Sequence, residues 1–284
     1  MTSLSSGLLR PDQDHPDQPI GIFDSGVGGL TVAAALRRLM PAENLIYVAD
    51  AARQPYGTKT AATVTRYARQ AARYLASKRI KLLVIACNTA SAHAGAVLRS
   101  EMAPLPVHGV VEAGAEAASR ATRAGGIVVA ATEGTCQSGA FPRTIAGLKD
   151  AARVTQVPCP LFVALAEEGL GDGPIADAIA KDYLGRHFGG ASGNDTLLLG
   201  CTHFPLLTPT LRRLTGPDVA IVDCAQAVAE NVQASLTATG LARPVGEVGT
   251  VTLQATDGQF RLSRLGEKLL PDLGPSPDVE LIDL

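Results

Sequence analysis

Leu82-Leu83-Val84-Ile85-Ala86-Cys87-Asn88-Thr89-Ala90-Ser91 opens on an uninterrupted apolar run and turns at once to small polar residues. A run of this kind, without alternation, reads as a strand covered on both faces, as in a parallel sheet. The stretch behind it, Ser91–Met102, is rich in Ala and has helical spacing. Working outward, the same unit recurs. Apolar runs at Ile20–Phe23, Leu45–Val48, Val107–Val111, Ile127–Ala131, Leu197–Leu199, Val219–Val222 and Val251–Leu253 alternate with helical stretches such as Leu30–Met40 and Thr60–Lys78. The expected fold class is therefore α/β, with doubly wound parallel sheets and a site beyond the carboxyl ends of the strands.

The residues that follow the strands suit that expectation. Ile20–Phe23 leads into Asp24-Ser25-Gly26, and Ile127–Ala131 into Thr132-Glu133-Gly134-Thr135. Leu82–Ala86 leads into Cys87-Asn88-Thr89, and Leu197–Leu199 into Gly200-Cys201-Thr202-His203. The two cysteine segments share an order: apolar strand, cysteine, small polar residues, helix. They lie about one small domain apart, a faint internal repeat of two halves facing each other.

Composition narrows the class. A chain of 284 residues, 46% hydrophobic, suits one large domain or two smaller ones. The net charge of −2 gives no electrostatic case for nucleic acid or an anionic membrane. No apolar run approaches the ~18 residues of a membrane-spanning helix. Residues 1–18 are rich in Ser, Asp, Gln and Pro without a signal peptide's apolar core, and are expected to be a disordered leader. Five cysteines at no framework spacing point to reduced thiols and a cytoplasmic location.

The Gly-rich segment Gly21–Gly29 completes neither nucleotide motif. A dinucleotide fingerprint starting at Gly26 needs a small residue where Thr31 stands, and a phosphate loop needs Gly before Lys where Thr58 precedes Lys59. A tight strand-to-helix turn explains the glycines by backbone alone. Cys87 and Cys201, each between a strand and an expected helix N-terminus, would have their thiolates favoured by backbone N–H groups. The alternative is that each is buried filler. His203 could polarise the Cys201 thiol, bind a carboxylate or cap a helix. Zinc would need three or four ligands, and no second Cys/His pair is at ligand spacing, so no metal is expected. Cys136, Cys159 and Cys224 receive no role. Ser25, Thr89, Thr132, Thr135 and Thr202 are hydroxyls at strand ends, suited to carboxylate and ammonium recognition or to simple capping.

Longer motifs carry a resemblance. Asp24-Ser25-Gly26-Val27-Gly28-Gly29-Leu30-Thr31-Val32, Tyr47-Val48-Ala49-Asp50, Pro55-Tyr56-Gly57-Thr58-Lys59 and Ala86-Cys87-Asn88-Thr89-Ala90-Ser91 occur in that order. Thr132-Glu133-Gly134-Thr135, Glu167-Glu168-Gly169 and Gly200-Cys201-Thr202-His203-Phe204-Pro205-Leu206-Leu207 follow. From about Pro19 to about Leu270 the chain resembles the glutamate racemases. Ala164, where many members have proline, and Cys224, where serine is usual, depart from the pattern outside its catalytic motifs.

The resemblance implies two α/β domains related by a pseudo-twofold axis, with the site in the cleft between them. The first would take residues 19–112 and 222–284, the second 113–221. It implies cofactor-independent interconversion of L- and D-glutamate, without pyridoxal phosphate or metal. Cys87 would remove the α-proton of D-glutamate while Cys201 protonates the opposite face, with the roles reversed for L-glutamate. Asp24 would assist Cys87, and His203 with Glu167 would assist Cys201. Asp24, Ser25, Tyr56, Gly57, Asn88, Thr89, Thr132, Thr135, Thr202 and His203 would hold the substrate. The resemblance further implies a homodimer and a supply of D-glutamate for bacterial peptidoglycan. Three other readings stay open: a racemase of aspartate or another amino acid, a cysteine hydrolase using Cys201 and His203, and a non-catalytic two-lobed binding protein.

Overall fold

The computed structural model describes residues 15–189, 192–246 and 248–284. Along the chain the strands are β1 (Ile20–Asp24), β2 (Leu45–Ala49), β3 (Leu82–Ile85), β4 (Val107–Gly109), β5 (Gly126–Ala131), β6 (Arg153–Pro158), β7 (Thr196–Gly200), β8 (Ala220–Asp223), β9 (Val251–Ala255) and β10 (Val279–Leu281). The helices are α1 (Leu30–Leu39), α2 (Ala61–Ser77), α3 (Asn88–Glu101), α4 (Val110–Ala121), α5 (Glu133–Ser138), α6 (Ala140–Leu148), α7 (Pro160–Glu167), α8 (Pro174–Leu184), α9 (Thr208–Thr215), α10 (Cys224–Thr239) and α11 (Gln259–Leu269).

The strands form two sheets, ordered β10-β9-β2-β1-β3-β4 and β6-β5-β7-β8, and every pairing is parallel. The fold is two parallel-sheet α/β domains. The second order repeats β2-β1-β3-β4 of the first, so β3 and β7, the strands that lead to the two cysteines, are equivalent. The faint repeat in sequence is thus a repeat of topology. β8 pairs with β7, so the expected division between residues 221 and 222 falls inside a strand of the second sheet.

Every residue of β1, β3, β5 and β7 is buried, which is why these strands read as unbroken apolar runs. One apolar cluster extends from β1 and β3 through α1, α4 and α10 into β5 and β7, so the two domains share a packed layer. α2 and α3 cover the far side of the first sheet. α7, α8 and α9 cover that of the second. The expected strand Val107–Val111 ends at Gly109, and Val110 and Val111 instead begin α4. Val110 and Val111 are both buried and adjacent, so in sequence they prolong the apolar run of the strand before the polar side of the helix begins at Glu112.

Of the expected leader, residues 1–14 lie outside the described residues. Further along, Pro16 accepts a hydrogen bond from Lys81 Nζ (2.6 Å), and Asp17 pairs with Arg243 (2.9 Å).

The entry to β7 is held by a single carboxylate. Asp195 Oδ1 accepts from the Thr122 hydroxyl at 2.6 Å, and Oδ2 from the N–H groups of Arg123 and Ala124, each at 2.7 Å. Burial acts to raise this carboxyl, but the hydrogen bonds prevail and hold it at about 2. A carboxyl depressed below its unfolded value of about 3.9 contributes stability above that pH and loses it as pH falls through the folded value. Stability carried by Asp195 should therefore drain between about pH 4 and about pH 2. Asp195→Asn should flatten that part of a plot of urea midpoint against pH; an unchanged slope would remove Asp195 from the acid response.

Candidate active site

Loops at the carboxyl ends of β1, β3, β5 and β7 meet around a cavity of about 310 Å³, walled by both domains. The first domain contributes Ser25, the turn at Tyr56–Thr58, and Cys87 to Thr89. The second contributes Thr132, one side of α7 ending at Glu167, and Cys201 to His203. All the expected site residues line this space except two. Asp24 lies fully buried behind it, with Oδ2 accepting the Gly26 N–H at 3.0 Å. Its Oδ1 has no hydrogen-bond partner among the described residues. Thr135 is also fully buried, its hydroxyl bonded to those of Thr89 (3.1 Å) and Thr132 (3.0 Å). Both therefore lie behind the cavity wall rather than on it.

Cys87 is the N-cap of α3, its sulfur accepting the Ala90 N–H at 3.4 Å and contacting the Ser25 hydroxyl at 3.4 Å. A helix-start thiol is expected to ionise readily, yet the structure has the opposite balance. Burial, reinforced by the charge of Asp24, pushes the Cys87 thiol up to about 12 against the pull of those two contacts. Burial also raises Asp24, against the charge of His203 and backbone hydrogen bonds that lower it. Only the thiolate alkylates, and a rise to about 12 lowers its fraction at neutral pH by roughly 1,000-fold. Iodoacetamide in the absence of substrate should therefore modify Cys87 at least that much more slowly than free cysteine at pH 7, accelerating as pH rises. Quantifying the Cys87 peptide by mass spectrometry checks this, and labelling at the rate of a free thiol would overturn it.

Cys201 differs in its surroundings. The residues after it form a turn and a short 3-10 segment, Phe204–Leu207, before α9 begins at Thr208. Pro205 stands inside that segment, so the expected helix directly behind Cys201 is absent. An imidazole takes its place: His203 Nδ1 lies 3.7 Å from the Cys201 sulfur. His203 Nε2 is 3.1 Å from Glu167 Oε1. Burial acts to lower the imidazolium's pKa, but hydrogen bonds to Cys201 and Glu167, with the charges of Cys201 and Asp24, hold it up at about 10. That balance favours the imidazolium at neutral pH and sets it beside the second sulfur.

The glycines of the opening motif serve close approach rather than an unusual backbone. Gly26, Gly28 and Gly29 all lack a positive φ. A Cβ on Gly28 would lie 2.5 Å from His203 ring atoms, so its absence lets the second domain's imidazole rest on the first domain's loop. Thr31 strengthens that seam by donating to the Thr202 carbonyl at 3.1 Å.

Some contributors were not legible as site residues. Gln54, immediately before the quoted Pro55–Lys59 motif, lines the cavity and reaches Glu167. Ala164 lies on the cavity wall, and Cys224 accepts from the Asn88 amide at 3.6 Å, so both departures from the pattern touch the site. Among the described residues no lysine or arginine lines the cavity. The hydrogen-bonding groups that face it are hydroxyls, amides, His203 and the N-terminus of α3.

A family model described as Asp/Glu/Hydantoin racemase matches residues 30–232. The chain belongs to the Asp/Glu/Hydantoin racemase family. A racemase is an isomerase, and among racemases the likeness is extensive. A glutamate racemase of Chlorobaculum tepidum is 42% identical, over 94% of this chain and 97% of the relative. The crystal structure of a glutamate racemase from Thermus thermophilus, in complex with β-chloro-D-alanine, superposes with a TM-score of 0.81 at 39% identity. That match covers 95% of this chain and 98% of the other. A glutamate racemase from Francisella tularensis, in complex with D-glutamate, has a TM-score of 0.85 at 31% identity, covering 94% and 98%.

Proposed function

We propose that this racemase interconverts L- and D-glutamate with Cys87 and Cys201 as its two acid–base groups and without a cofactor. The observation that carries the reading is that both thiols line one cavity from equivalent strand ends, one in each domain. Inverting a stereocentre by proton transfer needs a group on each face of the α-carbon, because a single base returns the proton to the side it left. Cys87 takes the α-proton of D-glutamate while Cys201 delivers one to the opposite face, and the roles reverse for L-glutamate.

The electrostatics favour a thiol poised rather than ionised at rest. A thiolate formed at Cys87 is a stronger base for having a raised pKa, which narrows the gap to the weakly acidic α-hydrogen. The substrate's ammonium brings a positive charge to a buried region that holds Asp24, offsetting the cost of that thiolate. Asp24 assists Cys87, and the charged His203, oriented by Glu167, supplies protons to Cys201. Ser25, Tyr56, Gly57, Asn88, Thr89, Thr132, Thr135 and Thr202 hold the ammonium and carboxylates, Thr135 through Thr89 and Thr132. A pyridoxal cofactor would delocalise the carbanion; here donors aimed at the α-carboxylate stabilise it in a desolvated cleft.

The test is incubation with D- or L-glutamate in deuterated water without pyridoxal phosphate, following optical rotation and α-deuterium incorporation. Inversion with deuterium at the α-carbon is the expected result, and none from folded protein would overturn the reading. With this activity the protein supplies D-glutamate for peptidoglycan in a bacterial cytoplasm, acting as a homodimer.

A further inference from the structure

The carboxylate that orients His203 is anchored from the opposite domain. Glu167 ends α7 in the second domain, and its Oε1 is shared between His203 Nε2 (3.1 Å) and the side-chain amide of Gln54 (2.5 Å) in the first. Its other oxygen faces Arg261 Nη1 at 3.3 Å, and Arg264 donates to its backbone carbonyl at 3.3 Å. Both arginines lie on α11, which follows β9 of the first sheet. The Glu167 side chain is only 13% exposed while Arg261 is 58% exposed, so the amide is the better shielded of the two side-chain anchors. Room for it comes from Gly26, where a Cβ would fall 1.9 Å from Gln54 Oε1.

A carboxylate ending a helix beside a cavity has several rotamers available. One that accepts from both an imidazole and an amide on the same oxygen has its direction set by two donors. A neutral donor suits this place: a carboxylate would repel Glu167, and a thioether of similar length would fill the volume without donating. We propose that Gln54 is a positioning residue for racemisation, its first-domain amide aiming Glu167 at His203 and so setting proton transfer at Cys201. Arg261 is the secondary, solvent-screened anchor. This rests on the two-thiol reading above.

Turnover alone cannot show which thiol is impaired. The two enantiomers are equally stable, so kcat/KM must stay equal in both directions for any variant. Primary isotope effects separate the steps. The α-deuterium of L-glutamate is removed by Cys201 and that of D-glutamate by Cys87. Slowing the Cys201 step makes abstraction more rate-limiting from L-glutamate and less so from D-glutamate.

Gln54→Met is therefore expected to lower kcat/KM roughly ten-fold, the scale of one hydrogen bond to a charged group. Its deuterium effect on kcat/KM should rise for L-glutamate and fall for D-glutamate. Gln54→Glu should be slower still, with the same asymmetry. Unchanged or symmetric isotope effects, or Gln54→Glu with wild-type kcat/KM, would overturn the proposal. Cys87→Ala and Cys201→Ala measured alongside keep the two claims apart. If either retains turnover, the two-thiol reading fails; if both lose it while the Gln54 variants show no asymmetry, only the role of Gln54 fails.

Discussion

Cys87→Ala and Cys201→Ala are each expected to lower racemisation by roughly 10,000-fold, the upper range for loss of a general acid–base group. The effect should be this large because neither thiol has a substitute. Both are buried, at 5% and 7% exposure, so bulk water has poor access to either face of a bound α-carbon. The contacts around the thiols also differ, with Ser25 and the start of α3 at Cys87, and His203 at Cys201. His203 contacts Cys201 and makes no hydrogen bond to Cys87 among the described residues, so it cannot take over there. Removing one sulfur at a cavity wall leaves the core layers intact, and both variants should unfold cooperatively. Circular dichroism of the glutamate pool in deuterated water reads the inversion directly. Activity within ten-fold of wild type in either variant would exclude a two-thiol mechanism. Cys136→Ala, which removes a thiol outside the cavity, should keep its turnover.

What the sequence revealed and concealed follows from burial. β1, β3, β5 and β7 were legible because both faces of each are covered, leaving no polar residue to blur the run. β6, Arg153–Pro158, and β10, Val279–Leu281, were not expected: both are edge strands with much of their length exposed, β6 carries the polar residues Arg153, Thr155 and Gln156, and β10 is only three residues long. The cysteines were legible as a pair because each follows an equivalent strand. Their chemistry was less so: a helix start at Cys87 suggested a low thiol pKa, but burial and Asp24 are tertiary facts that reverse it. Gln54 and Arg261 were invisible as partners of Glu167 for a similar reason. They meet it only through the docking of one domain on the other, and nothing in local spacing records that geometry.

Lys81→Met is expected to destabilise the fold by about 3–5 kcal/mol, the cost of orphaning one member of a buried ion pair. Lys81 is fully buried and Glu43 nearly so, with 2.6 Å between the ammonium and the carboxylate. Burial pulls the lysine pKa down, and the Glu43 contact opposes that pull. Often such a pair can be replaced by two apolar residues at little cost, because desolvation cancels most of the attraction. Here the groups do more than neutralise each other. Lys81 Nζ also donates to the carbonyls of Pro16 (2.6 Å) and Leu241 (2.8 Å), while Glu43 accepts the Arg243 N–H at 2.8 Å. The pair thus joins the chain before β1, the entry to β3 and the segment after α10. Replacing both residues, as Lys81→Met with Glu43→Leu, would leave those partly buried backbone groups without these partners. The double variant should therefore recover less than half of the loss, rather than nearly all of it. Urea denaturation of the two single variants and the double variant measures this, and a double variant as stable as wild type would show the carbonyl contacts to be dispensable. Lys81 precedes β3 at the end opposite Cys87, so turnover of the folded fraction should be unchanged.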